Sequence, residues 1–107
     1  VTCTFCPYSI QHNPVTSNAA TKVIGNNEGL VIWTYTSGAG TICLPNPLAV
    51  GEQHYIVNRS TQPATIYTCC GKCIYGGGNE LGALSLPVRY TAGFIYNGVG
   101  WSVISYI

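Results

Sequence analysis

Aspartate is absent from this sequence and charge of either sign is scarce: Lys22, Arg59, Lys72 and Arg89 stand against Glu28, Glu52 and Glu80. Charged residues make up 7% of the 107, where a soluble domain usually carries about 25%. Charge normally keeps a free monomer soluble and blunts its strand edges, so its scarcity points to cover supplied by another chain. Four scattered cations cannot displace counterions as a basic patch does, which argues against nucleic acid as a partner. Three separated glutamates leave little for acid–base chemistry, because a glycosidase pair would need two of Glu28, Glu52 and Glu80 to converge in the fold. Long apolar runs are missing as well. The longest, Leu30 to Trp33, has strand length and falls far short of the roughly 20 residues that cross a bilayer, so no membrane span is expected. The chain opens on Val1 rather than Met and shows no signal-peptide pattern, as in a processed or fragmentary chain.

What is present is strand chemistry. Tyr, Val, Ile, Thr and Trp occur in short runs divided by Gly, Pro and Asn, and no stretch keeps a capped helical period. We therefore expect one all-β domain, a compact β-sandwich or fibre-type β-domain, over residues 19–107. An irregular N-terminal arm or stalk connection, residues 1–18, precedes it and holds a short strand near Tyr8 to Gln11. Strands are expected at Lys22 to Ile24, Leu30 to Thr36, Thr41 to Leu44, Gln53 to Asn58, Thr65 to Cys69, Lys72 to Tyr75, Leu84 to Leu86 and Val88 to Tyr90. The Leu30 strand is apolar on both faces, with Val31, Trp33 and Tyr35 on one and Leu30, Ile32 and Thr34 on the other. Such a strand needs cover on both sides, from its own domain or from another subunit. Phe94 to Tyr96 and Val99 to Ile107 flank Asn97-Gly98, the strongest short hairpin signal, which predicts a C-terminal hairpin with a type I′ turn.

Six cysteines, Cys3, Cys6, Cys43, Cys69, Cys70 and Cys73, form an even set at high density. In an oxidising compartment such a set is a disulfide framework, whose pairing the sequence leaves open. The rival readings are free thiols and metal, since Cys3-x-x-Cys6 and Cys70-x-x-Cys73 each have the spacing of half a tetrathiolate zinc site. Those two halves lie too far apart for a zinc ribbon and would leave Cys43 and Cys69 over. Disulfides are the expectation, with no metal or other cofactor. If residues 69–73 are extended, Cys69 and Cys70 face opposite ways and take different partners.

The order of motifs from Gly40 onward is distinctive. Thr41-Ile42-Cys43-Leu44-Pro45 is followed by Val50-Gly51-Glu52, then Tyr55-Ile56-Val57-Asn58-Arg59-Ser60, Ala64-Thr65-Ile66, Gly76-Gly77 and Leu84-x-Leu86. The run closes on Phe94-Ile95-Tyr96-Asn97-Gly98 and Gly100-Trp101-Ser102-Val103-Ile104. Over residues 30–106 this resembles the C-terminal β-domains of phage and viral tail-fibre, spike and fibre-tip proteins, although phage fibre tips are usually cysteine-poor. The resemblance implies a homotrimeric, non-enzymatic structural protein on a virion surface or outside the cell, which attaches to a host glycan or protein receptor.

Candidate sites for chemistry are few. His12 and His54 have no signature neighbours, and His54 alternates within a strand as a packed or surface histidine does. Gly76-Gly77-Gly78 lacks the Lys-Ser/Thr ending and following helix of a phosphate loop, and reads as a bend between strands. Asn58-Arg59-Ser60 is the one unobstructed glycosylation sequon; its other reading is a side chain that satisfies a strand-end turn. The expectation is a self-assembling attachment domain. Its alternatives are a subunit of an extracellular filament or adhesin, assembled by strand addition of the arm, and a small secreted disulfide-stapled enzyme or inhibitor.

Overall fold

The structure, a computed structural model, describes residues 14–69, 71 and 73–107. The predicted strand near Tyr8 to Gln11 lies outside the described residues. The described residues form eleven β-strands and no helix: β1 (Val15–Ser17), β2 (Thr21–Val23), β3 (Leu30–Trp33), β4 (Gly40–Leu44), β5 (Gln53–Asn58), β6 (Ala64–Thr68), β7 (Ile74–Gly76), β8 (Asn79–Leu81), β9 (Leu84–Leu86), β10 (Thr91–Tyr96) and β11 (Trp101–Tyr106). The chain is all-β, as its composition implies.

Two sheets share these strands. One has seven, in the order β1-β3-β5-β10-β11-β7-β8, and the other four, in the order β2-β4-β6-β9. From β1 to β6 the chain alternates between sheets, and each strand lies parallel to the one two before it. The first half is thus a coil of three rungs, each contributing one strand to each sheet. Beyond β6 the chain reverses direction: β9 runs antiparallel to β6, β10 to β5, and β11 to β10.

Strand alternation then sorts the side chains. Val15, Val31, Ile56 and Ala92 align in one inward column, and Ile42, Ile66 and Leu84 in the facing one. Trp33, Phe94, Trp101, Leu44 and Leu86 complete the core between the sheets. The outer face of the smaller sheet carries a row of hydroxyls, Thr21, Thr41, Thr65 and Ser85, one from each strand. Such cross-strand Thr pairs favour the ladder, and the first two hydroxyls are hydrogen-bonded at 3.2 Å.

Several expectations change. Val15–Ser17, assigned to the arm, is the edge strand of the larger sheet. Val88 to Tyr90 is a turn rather than a strand: Pro87 cannot donate to a ladder, and its carbonyl accepts the Tyr90 N–H at 3.1 Å. The C-terminal hairpin forms, but Asn97 does not have the positive φ of a type I′ turn. Tyr96 pairs with Trp101, so the connection spans 97–100. Asn97 shapes it through its side chain, whose Oδ1 accepts the Val99 and Gly100 N–H groups, both at 2.9 Å. The paired positive φ occurs instead at Gly77 and Gly78, +60° and +80°, between the paired residues Gly76 and Asn79. The glycine run is a tight hairpin turn between β7 and β8.

Candidate functional site

Of the six cysteines, Cys43 and Cys69 form a disulfide that joins β4 to the end of β6, with a Cα–Cα distance of 5.6 Å. Cys73 is a free thiol, which departs from the expectation that all six are bridged. Cys3, Cys6 and Cys70 lie outside the described residues. Among the described residues no cluster of three metal-ligating side chains occurs.

Asn58 takes the turn role rather than the glycan role. Its side chain is fully buried, its Nδ2 donates to the Gln62 and Leu86 carbonyls at 3.0 Å each, and its Oδ1 accepts from the Ser60 amide and hydroxyl. Both hydrogens of Nδ2 are used in these bonds, so in this fold the side chain serves the turn. Asn58 and Ser60 together satisfy the backbone at this strand end.

Sequence-remote polar residues do converge around His54. His54 and Glu52 are both fully buried, with Nε2 2.7 Å from Glu52 Oε2. His54 Nδ1 lies 2.8 Å from the Glu28 carbonyl oxygen, which can only accept, so Nδ1 carries a hydrogen. Glu52 also accepts from the Leu48 amide at 2.8 Å and from Asn26 Nδ2 at 3.0 Å, and Asn26 Nδ2 reaches the Asn46 carbonyl at 2.7 Å. The Glu28 carboxylate turns to the Gly25 N–H at 2.7 Å and to Lys22, 3.0 Å away. Burial works against the Glu28 charge, yet the Gly25 N–H and Lys22 hold its carboxyl below the usual range. His54 and Glu52 are bonded on every side and have no surface to offer a substrate, so the cluster ties the 24–29 and 45–52 loops together. His12 lies outside the described residues.

The third glutamate sits elsewhere, in an open cleft of about 420 Å³ lined by Tyr67, Thr68, Cys73 and Leu81 among others. There the Cys73 thiol donates to Glu80 Oε1 at 3.0 Å. That bond pushes the thiol pKa up and keeps it protonated, the opposite of what a nucleophilic cysteine needs. Tyr75 alongside is likewise raised, first by burial and then by Cys73 and Glu80.

A second open cleft, about 460 Å³, is lined by Val57, Asn58, Arg59, Ser60 and Arg89. Arg59 follows β5 and Arg89 precedes β10, strands that pair antiparallel with Val57 opposite Thr91. The Asn58 carbonyl accepts from Arg89 N and the Asn58 amide donates to the Tyr90 carbonyl, both at 3.0 Å. Two residues thus oppose one, the pattern of a β-bulge, which brings Arg89 alongside Arg59. Arg89 holds φ at +71°, the only positive value at a non-glycine residue among those described. Glycine usually fills that place in a bulge. The sequence hid this pairing, because its only signal is the register between two strands far apart in the chain.

The remaining feature is a surface. On the outer face of the seven-stranded sheet lie Leu30 and Ile32 from β3, Tyr55 and Val57 from β5, and Ile95 from β10, all partly exposed. The Tyr55 ring lies over Gly93, where an added Cβ would come within 2.5 Å of it. No second layer of this chain covers the face among the described residues. No protein-family model matches this chain, and no curated protein does.

Proposed function

We propose that this chain is a non-enzymatic structural and attachment domain, a fibre, spike or capsid-decorating module at a virion surface or outside the cell that works as a homo-oligomer. The observation that carries the reading is the outer face of the larger sheet. Leu30 pairs with Tyr55 and Ile32 with Val57 there, Ile95 lies diagonal to Tyr55, and Gln53 and Thr91 border them; an apolar patch rimmed by polar residues marks an interaction surface. A coil of parallel strands is compatible with a fibre-type domain, and parallel sheets normally have both faces covered. The buried bonding of Glu52 and His54 and the protonated Cys73 thiol add to the non-enzymatic reading. At the strand ends away from Arg59, Leu48, Val50 and Val99 are 73%, 66% and 67% exposed, an apolar tip suited to contact with a receptor.

The alternative, a filament subunit, draws on one observation: β1, of three residues, is an edge strand of the larger sheet with no second neighbour among the described residues. Mass measurement in native buffer tests both readings. A closed trimer is the expected result, an open-ended polymer that disassembles on deletion of residues 1–18 favours the filament, and a stable monomer overturns both.

A further inference from the structure

We propose that the cleft between Arg59 and Arg89 binds an oxyanion, a carboxylate, sulfate or phosphate group presented by another molecule. The first ground is that this chain holds no side chain to neutralise the pair. It has three acidic side chains, and each is committed elsewhere: Glu28 to Lys22 and the Gly25 N–H, Glu52 to His54 and Asn26, Glu80 to the Cys73 thiol. Among the described residues neither arginine joins an ion pair.

The second ground is geometric. Two like charges line one open cleft, and the backbone that presents Arg89 is strained. The surroundings nevertheless hold the backbone of both residues in place, while their side chains stay exposed. The Arg59 N–H donates to the Trp33 carbonyl at 2.9 Å, the Arg89 N–H to the Asn58 carbonyl, and Asn58 is itself held by Ser60, Gln62 and Leu86. A guanidinium presents parallel donors that match a carboxylate, sulfate or phosphate. A strained backbone held by hydrogen bonds, with two unpaired guanidinium groups on one cleft, describes a site prepared for an anion, as a lone solvated arginine does not. The site rests on the attachment reading only for the carrier of the anion.

The test is an NMR titration of the full chain with inorganic sulfate, inorganic phosphate and sodium acetate in turn, at constant ionic strength set with sodium chloride. Saturable shifts at the amides of Arg59, Ser60, Arg89 and Tyr90 with at least one of the three are expected, and the ion that binds tightest separates tetrahedral from planar groups. The variant Arg89→Gly keeps the backbone conformation, because glycine accepts φ of +71°. It should weaken binding at least tenfold while the melting temperature holds or rises. Arg59→Lys, which keeps charge without the fork, should weaken it severalfold, and Lys22→Gln should leave it within twofold. Shifts that stay linear for all three ions, or an Arg89→Gly variant that binds within twofold of the parent, overturn the proposal. Oligomeric state is read separately by mass, so loss of the trimer and loss of the anion site are distinct results.

Discussion

Asn58 shows how much a single side chain holds in a sheet protein of this size. Its amide stitches the end of β5 to the 60–62 turn and to β9 in the opposite sheet, through four direct bonds. Truncation to alanine removes all four bonds; the Gln62 carbonyl keeps the Ser60 hydroxyl at 2.7 Å, but the Leu86 carbonyl and the Ser60 amide lose their Asn58 partner, so Asn58→Ala should cost about 2–4 kcal/mol in chemical denaturation. Glu28 works at a different depth. Its folded pKa lies below the unfolded value of 4.5, so the charged form stabilises the fold above that pH, and this contribution is lost as pH falls through the lower folded pKa. Melting curves of the parent and Glu28→Gln should therefore differ most near neutrality and converge in acid, as the pH falls through the lowered folded pKa. A gap that stays constant with pH would show that Lys22 and the Gly25 N–H gain nothing from the charge.

At the scale of elements, the Cys43–Cys69 bridge closes a 26-residue separation that spans β5 and links neighbouring parallel strands of the smaller sheet. Parallel pairing is entropically demanding because its partners are far apart in sequence. Closing a loop of that length is worth about 3.5 kcal/mol in the chain-entropy account. A Cys43→Ser, Cys69→Ser double variant should lose roughly that much, read as a lower denaturant midpoint with a steeper slope, because the unlinked denatured chain exposes more surface. Elements also mark what could be read in advance. Gln53–Asn58 and Leu84–Leu86 were legible to the residue, because alternation and flanking turn residues bound them on both sides. The parallel coil was not legible: Val31 lies between Val15 and Ile56, and nothing local in any of the three strands says so. The Asn97-Gly98 signal located a hairpin correctly but not its turn, since the Asn97 side chain caps two amides and lengthens the connection. The Asn58 turn role was visible beside its sequon, whereas the convergence of Glu52, Asn26 and His54 came only with the third dimension.

At the scale of the whole molecule, few charges and an uncovered sheet face are one property seen twice. Between β3 and β10 the outer face of the larger sheet carries no ionised side chain within the strands. Ile95→Lys and Leu30→Lys each place a cation on that face without touching the core. If the face is the assembly surface, either variant should convert the oligomer to a folded monomer by mass, with the all-β circular dichroism spectrum unchanged. An oligomer that persists in both variants would locate the subunit contact elsewhere.

The row of Thr21, Thr41, Thr65 and Ser85 carries a last consequence. Its members lie 20, 24 and 20 positions apart in the chain, yet they sit abreast across four strands. Register in this coil is kept by the columns and not by the length of chain between them. The turn at Ser37-Gly38-Ala39, largely exposed and outside every ladder, can thus lengthen or shorten while the columns on either side stay aligned. A molecule built this way can vary its outward loops, and with them what it touches, while its scaffold stays the same.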